Sequence, residues 1–188
     1  MGEVADRLAA LTVRVSSPDT NIQATARAGR IASIHFRPGS YTGYTENVLA
    51  SQIARTATLL FVGHERGVSQ IMEKAGLRRR KDPAQALDEA ERRYLERAFA
   101  IEADGTGPQK LVRLRTVGMM KWECRIEPGT LKRLAEDRFL NELTAAGSAV
   151  LRRTEYEAAI LKDECFGLGI PELAEERRRR SQASARRR

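Results

Sequence analysis

The chain contains few of the side chains that build disulfides, metal sites or aromatic binding surfaces. Its 188 residues include two cysteines and two histidines, and aromatic residues make up 5%. Cys124 and Cys165 have no paired spacing, which argues against a disulfide framework and against a zinc site. The aromatic residues are too sparse for a surface that stacks single-stranded bases. We therefore expect two reduced, packed thiols and no metal or other cofactor.

Long apolar segments are also lacking. No uninterrupted apolar run approaches the roughly 20 residues that span a bilayer, and the N-terminal residues lack the basic-then-apolar layout of a secretory signal. With 41% apolar and 31% charged residues, the composition is typical of a globular protein in water. We expect a cytoplasmic protein that has no contact with the membrane.

The sequence offers little for catalysis. Catalysis needs groups held at reacting distance with tuned acidity, yet the histidines are His35 in a strand pattern and His64 in a helix pattern. His64 could serve as a ligand or a base, or it could be satisfied structurally. The segment from Asp104 to Lys110 superficially resembles a phosphate loop, but it fails the G-x-x-x-x-G-K-[ST] spacing and leads into a strand. We interpret it as a hairpin loop and predict that the protein is not an enzyme.

What the chain does contain is an internal repeat. The segments FRPGSYTGYTENVLASQIART (36–56) and IEPGTLKRLAEDRFLNELTAA (126–146) lie ninety positions apart. Each leaves a strand pattern, turns at Pro-Gly followed by a hydroxyl residue, and enters a long helix pattern. At that offset apolar positions coincide without a gap, as Leu49 does with Phe139. A period near ninety is too long for a solenoid unit and predicts two small domains of one kind.

The hydrophobic pattern predicts the same elements in each half. Alternating residues indicate half-buried strands, and helical periodicity indicates amphipathic helices. The first half is predicted to contain a short helix over 2–10, strands over 11–16, 22–28 and 31–36, and a long helix that Thr45 caps and that ends near Lys74. The second half is predicted to contain a helix over 83–98, strands over 99–102, 111–117 and 120–126, and a helix over 136–164. The predicted fold class is α+β, with two tandem α-β-β-β-α units, each a three-stranded antiparallel sheet with a long C-terminal helix.

The domain organisation follows from these elements. We place a first unit at 1–76, a basic linker at 77–82, a second and more divergent unit at 83–168, and an Arg-rich flexible tail at 169–188. In the first long helix, six residues follow steps of four and three, the spacing of helices packed lengthwise; they are Ile53, Ala57, Leu60, His64, Gly67 and Ile71. The chain is therefore predicted to pair with itself through long helices and sheets, either within one chain or as a homodimer.

The net charge of +8 is unevenly distributed, and half of it falls in the last eighteen residues. A second basic cluster lies in the linker, and two arginines alternate onto one face of a second-half strand. Cations of this kind neutralise phosphates and release counterions, which gives affinity without sequence preference, although an Arg-rich tail could instead be solvated or meet an acidic protein. The predicted DNA-binding residues are Arg78, Arg79, Arg80, Lys81, Arg113, Arg115, Arg177, Arg178, Arg179, Arg180, Arg186, Arg187 and Arg188.

Four short motifs of the first half match a known pattern. They are a strand ending in Ser17-Pro18-Asp19, a strand closing near Gly29, a strand ending in Phe36-Arg37-Pro38, and a helix with the pair Leu49-Ala50. Over residues 3–75 this pattern resembles the YbaB/EbfC family of bacterial nucleoid-associated proteins. In the second half, Asp104-Gly105 stands for the first turn, Ile126-Glu127-Pro128 for the end of the third strand and Phe139-Leu140 for the pair, with no Ser-Pro-Asp. The resemblance of the second half to this family rests on the internal repeat.

The resemblance implies a DNA-binding function. Members of the family are small homodimers that bind double-stranded DNA with little sequence preference, with paired helices spread like tweezers. This chain would hold two such units in one polypeptide, in the nucleoid, where it helps to organise, bridge or protect DNA. Two alternatives stay open. The near-neutral second half would suit a protein-interaction module, such as a secretion-system chaperone or accessory factor, and a promoter-binding regulator would bind the same ligand.

Overall fold

Two similar series of elements follow one another along the chain. The computed structural model describes residues 2–77, 80 and 82–173. The first series is α1 (Gly2–Ala10), β1 (Thr12–Ser16), β2 (Ile22–Arg27), β3 (Arg30–Phe36), a 3-10 turn (Tyr41–Gly43) and α2 (Glu46–Lys74). The second is a 3-10 turn (Pro83–Gln85), α3 (Glu89–Ala98), β4 (Glu102–Thr106), β5 (Val112–Val117), β6 (Lys121–Ile126), α4 (Thr130–Arg133), α5 (Glu136–Phe166) and a 3-10 turn (Pro171–Leu173). Strands β1-β2-β3 and β4-β5-β6 form two antiparallel sheets, so the predicted α+β class with two tandem units is confirmed.

The backbone repeats with the same offset as the sequence. Strands β1 and β4, strands β2 and β5, and helices α2 and α5 each begin ninety positions apart. Thr20 and Lys110 have φ angles of 61° and 59°, and Gly39 and Gly129 both have 78°. Positive φ is uncommon for residues other than glycine. Its recurrence at one offset shows that the two halves share their turns as well as their strands.

The first strand of the second sheet differs from its prediction. A strand over 99–102 and a hairpin loop from Asp104 to Lys110 were expected, but β4 occupies Glu102–Thr106. The misleading signal is Gly105, because an Asp-Gly pair usually marks a turn. A Cβ at Gly105 would lie 2.5 Å from the carbonyl oxygen of Ala146. This glycine therefore lets the strand approach the α5 backbone rather than forming a turn.

The first turn of the second sheet also lies later than predicted. Gly107 donates its backbone N–H to Val112 O at 3.0 Å, and Lys110 donates its N–H to Gly107 O at 3.0 Å. The counterpart of Ser17-Pro18-Asp19 is thus Gly107-Pro108-Gln109, ninety positions on. The assignment of Asp104-Gly105 to this turn was wrong.

The helix predicted over 83–98 consists of two pieces. The carboxylate of Asp82 accepts from Ala84 N at 2.9 Å and starts the 3-10 turn. The carboxylate of Asp88 accepts from Glu91 N at 2.8 Å and caps α3. Aspartate is a favoured N-cap because it satisfies a helical N–H that has no partner within the helix. Two caps so close in sequence separate the turn from the helix.

The described chain forms two compact units. The first combines α1 to α2 with Glu102–Arg153, and the second combines Arg80–Ile101 with the described residues from Thr154 to Leu173. Both sheets and α2 therefore belong to the first unit. The second unit buries Leu95, Ile160, Leu161, Cys165 and Leu173.

The core of the first unit is shared by the two repeats. The ring centroids of Phe36 and Phe139 are 6.1 Å apart, and those of Tyr41 and Phe139 are 5.5 Å apart. Burying a side chain of this size stabilises a fold by about 1.5–3 kcal/mol. The buried cluster consists of Ile22, Phe36, Tyr41, Leu49, Ile53, Ala103, Val112, Leu114, Ile126, Leu134, Phe139, Leu143, Ala146 and Val150. The two repeats thus pair within one chain, and a homodimer stays a prediction.

The start of α2 carries a second link between the repeats. Thr45 occupies the N-cap position, but its side chain makes no capping hydrogen bond, contrary to prediction. The carboxylate of Glu46 accepts from Gly129 N at 3.0 Å and Leu131 N at 3.4 Å. Its pKa lies below the ordinary value because its own backbone N–H and those two N–H groups stabilise the charged form, against a smaller effect of burial.

The face of α2 that includes the seam residue Gly67 packs on β1 and on Leu11, the residue before β1. A Cβ added to Gly63 would lie 2.7 Å from Val13 Cγ1, and one added to Gly67 would lie 2.6 Å from Leu11 Cδ1. Leu11 therefore covers the seam at Gly67, and Val13 covers the adjacent Gly63. Spacing alone predicted the apolar face but not the neighbour that packs on it.

Candidate nucleic-acid interface

Most of the predicted DNA-binding residues lie outside the described part of the chain. These are Arg78, Arg79, Lys81, Arg177, Arg178, Arg179, Arg180, Arg186, Arg187 and Arg188. The structure places the remaining three, Arg80, Arg113 and Arg115. Arg80 belongs to the second compact unit and the other two belong to the first.

Arg113 and Arg115 lie on the outward face of β5, as their alternation predicted. Arg113 Nη2 is 3.0 Å from Asp104 Oδ2, and Arg115 Nη2 is 2.7 Å from Glu102 Oε2. The hydrogen bond and the charge of Glu102 raise the pKa of Arg115. Both arginines are exposed, but each has a carboxylate beside it that offsets its charge.

Arg80 is also paired. Its Nε lies 2.9 Å from Glu91 Oε1, and Glu91 Oε2 accepts from Leu87 N at 2.7 Å. The Leu87 N–H and then Arg80 lower the pKa of Glu91, while burial acts weakly in the opposite direction. Arg80 therefore serves the local structure around α3.

The outward face of the first sheet carries cations that were not predicted from the sequence to bind DNA. The register places Arg14 opposite Thr25 and Arg27 opposite both Thr12 and Arg30. Directly opposed residues point to the same face of a sheet. We call this surface the basic sheet face; its outward residues are Thr12, Arg14, Ser16, Gln23, Thr25, Arg27, Arg30, Ser33 and His35.

The basic sheet face contains no carboxylate. Arg14 and Arg27 are exposed, and neither forms an ion pair with any residue that the structure describes. At the offset of ninety, Asp104 occupies the position of Arg14, and Glu102 occupies that of Thr12. In the first sheet, a cation and a neutral residue therefore stand where the second sheet has the two carboxylates that balance the charge of its arginines.

The acidic residue nearest in sequence to the basic sheet face is already engaged. Asp19 accepts hydrogen bonds from the Ser17 hydroxyl, the Asn21 N–H and the Tyr44 hydroxyl. Burial raises the pKa of Asp19, but these donors lower it more, and the net pKa lies below the ordinary value. Its charge is therefore stabilised locally rather than by the sheet arginines.

A signal for this surface was present in the sequence. From Arg7 to Thr45 the chain has five arginines and a single acid, Asp19. Counting charges over the whole first repeat hides this because Glu3, Asp6 and the acids of α2 restore the balance. The alternation of β1 also placed Arg14 on the polar side.

Other chemistry is sparse in the described residues. Across residues 2–77, 80 and 82–173, no group of three or more histidine, cysteine, aspartate or glutamate side chains is placed to hold a metal ion. Both cysteines are free, and burial raises the pKa of Cys124 to about 12. The thiolate is the reactive form of cysteine, so Cys124 is a poor nucleophile at neutral pH.

The comparisons with known proteins leave the family open. No family model, curated protein or solved structure matches the chain. Within the ranges that the structure describes, each helix is too short or too polar to cross a bilayer.

Proposed function

We propose that this protein binds duplex DNA through the phosphate backbone, with little sequence specificity, and that the basic sheet face is its folded contact surface. The observation that carries the proposal is the pair of exposed arginines, Arg14 and Arg27, on a face without carboxylates. A guanidinium binds phosphate oxygens through parallel N–H groups. Each neutralised phosphate releases counterions, so affinity comes from charge rather than from base identity.

Three further features support the proposal. The whole chain carries a net charge of +8. The basic sheet face is supported by a packed core, because the other side of β2 buries Ile22, Ala24 and Ala26. The tail adds seven arginines that could extend the contact along the duplex. A protein of this kind organises, bridges or protects DNA by binding, and no reaction is proposed for it.

The test compares two double variants that remove the same charge. Fluorescence anisotropy with a labelled random-sequence duplex is measured across a salt series for the wild type, for Arg14→Gln/Arg27→Gln and for Arg113→Gln/Arg115→Gln. We expect the wild type to bind with a steep salt dependence. Loss of two phosphate contacts should reduce the slope of log K against log salt by about 2. The control should change little, because its arginines already face Asp104 and Glu102.

Two outcomes would contradict the proposal. Equal losses in both double variants would mean that net charge, and not the basic sheet face, determines the affinity. No binding by the wild type at low salt would remove the DNA interpretation. The protein-interaction module would then become the better hypothesis, to be tested by co-purification at high salt.

A further inference from the structure

A cleft lies at the end of the first sheet that holds the β1–β2 turn. Its volume is about 400 Å³, and it is lined by Thr20, Gln23, His35, Phe36, Arg37 and Pro38. Gln23 and His35 are directly opposed on β2 and β3. Arg37 follows β3, and its backbone N–H donates to Asn21 O at 2.7 Å, which holds the turn and the strand end together.

The polar side chains of this cleft have unused hydrogen-bond donors. Gln23, His35 and Arg37 are exposed, and within the described part of the chain none of the three makes a side-chain hydrogen bond or an ion pair. A guanidinium has five N–H donors, a glutamine amide two, and an imidazole one or two. No carboxylate lines the cleft. Donors that line one cleft without a carboxylate suit an anion with several oxygens.

The neighbouring acid does not compete for these donors. Asp19 precedes Thr20 in the turn, and its oxygens accept from Ser17, Asn21 and Tyr44. Arg37 therefore keeps its guanidinium available to a ligand.

The second repeat lacks the same chemistry. At the offset of ninety, His35 corresponds to Arg125 and Arg37 to Glu127. Arg125 Nε lies 3.3 Å from Glu127 Oε1, so these two positions satisfy each other. The unpaired donors are a property of the first repeat, and Arg125 offers a matched control.

We propose that this cleft binds a single phosphate group, with Arg37 as its main ligand and His35 and Gln23 as further donors. The proposal rests on the proposed DNA binding for its ligand, a phosphodiester of the duplex. A free phosphate monoester has the same chemistry and is the other possible source. Bound at the sheet end, such a phosphate would fix the position of the backbone relative to Arg14 and Arg27.

The two histidines of the chain provide the readout. His35 lines the cleft, whereas His64 lies on α2 near Gly29, in the turn at the opposite end of β2. The imidazole signals of the full-length protein would be followed by NMR during titration with the random-sequence duplex, with adenosine monophosphate and with inorganic phosphate. Duplex affinity would be measured in parallel for Arg37→Gln and Arg125→Gln.

We expect the duplex to shift the His35 signal more than that of His64. Arg37→Gln should abolish this shift and weaken duplex binding roughly tenfold, the loss expected for one charged hydrogen-bonded contact. Arg125→Gln should do neither. A His35 shift with the monophosphate or phosphate, but none with the duplex, would support the cleft and assign it to a small phosphate compound.

The remaining outcomes separate the two proposals. If the duplex binds without shifting His35, and if Arg37→Gln and Arg125→Gln have equal affinities, the cleft proposal is overturned while DNA binding stands. If no probe shifts His35 and the duplex does not bind, both proposals are overturned.

Discussion

Tyr41 in the first repeat donates its hydroxyl to the backbone carbonyl oxygen of Leu134 in the second, at 3.0 Å. Tyr41 is 5% exposed and Leu134 is 7% exposed, so water cannot easily replace either partner. The Tyr41 ring also packs against Phe139. The burial of apolar side chains stabilises the contact between the repeats but is not directional. This hydrogen bond forms only in one relative orientation of the two repeats. It therefore contributes to the specificity of the intrachain pairing.

Replacing Tyr41 with phenylalanine should destabilise the first unit. The Leu134 carbonyl would stay buried without its donor, and such a loss costs about 1–3 kcal/mol. Urea unfolding followed by circular dichroism would measure the change in the free energy of unfolding. Tyr156→Phe is the comparison, because Tyr156 is 39% exposed and water can replace what its hydroxyl contacts, so the change should stay within about 0.5 kcal/mol. Equal effects of the two substitutions would show that the Tyr41 hydroxyl has no special role.

Because the pKa of Tyr41 is raised in the folded protein, we expect the protein to lose stability at alkaline pH. Burial, with the nearby charges of Glu136 and Glu46, raises the pKa of Tyr41 to about 12. An unfolded tyrosine has a pKa of about 10. Between these values the unfolded chain releases a proton that the folded chain retains, so stability is complete below about pH 10 and falls as pH rises towards about 12. In Tyr41→Phe this fall should be shallower. Parallel pH profiles of the two proteins in urea unfolding would contradict the assignment.

Gly105 should not tolerate a side chain. A Cβ at this position would lie 2.5 Å from Ala146 O and 2.8 Å from Val150 N, and backbone atoms cannot move aside as a side chain can. We expect Gly105→Ala to cost about 1–3 kcal/mol, the usual range for overpacking. Gly43→Ala is the control, since nothing lies within 4 Å of the added Cβ. Thermal unfolding would compare the two, and a neutral Gly105→Ala would mean that α5 does not pack closely on β4.

Gln52 and Glu142 lie ninety positions apart, at equivalent places in the two repeats. Replacing each with leucine should nevertheless affect the free energy of unfolding differently. Glu142 is 2% exposed, and its carboxylate accepts from Gln109 N at 2.7 Å and Leu111 N at 3.4 Å. The buried Oε1 of Gln52 has no hydrogen-bond partner. Hydrogen bonds to a charged group contribute about 1.5–3 kcal/mol, so Glu142→Leu should lower the free energy of unfolding by that order.

Gln52→Leu removes a buried acceptor that is not satisfied. Removing such a group can be neutral or stabilising, and we expect no loss of stability. Urea unfolding of both leucine variants would test the contrast. Comparable losses would show that Gln52 has a partner in solution, such as a buried water molecule.

The features of the fold that were predicted correctly depend on residues close together in sequence. Alternation predicted the three strands of the first sheet, and the offset of ninety predicted the second copy of them. Strand β4 was misplaced because the close approach of Gly105 to Ala146 joins residues far apart in sequence. The ion pairs of Arg113 and Arg115 depend on which residues lie opposite them on the neighbouring strand. A count of charges along the sequence gives no information on this register. For the same reason the unpaired state of Arg14 was not predicted.

The Arg-rich tail should account for a separate part of the salt dependence of duplex binding. Its seven arginines, Arg177–Arg180 and Arg186–Arg188, lie outside the described residues. A chain that ends at Leu173 would lack them but would keep the side chain of Leu173, which is buried in the second unit. Each phosphate contact contributes about 0.9 to the slope of log K against log salt, so the slope should fall by several units and by no more than about 6. Arg14→Gln/Arg27→Gln in the shortened chain should lower it further, because the basic sheet face is intact there. An unchanged slope after truncation would show that the tail does not contact the duplex, and the residues up to Leu173 would then account for all of the binding.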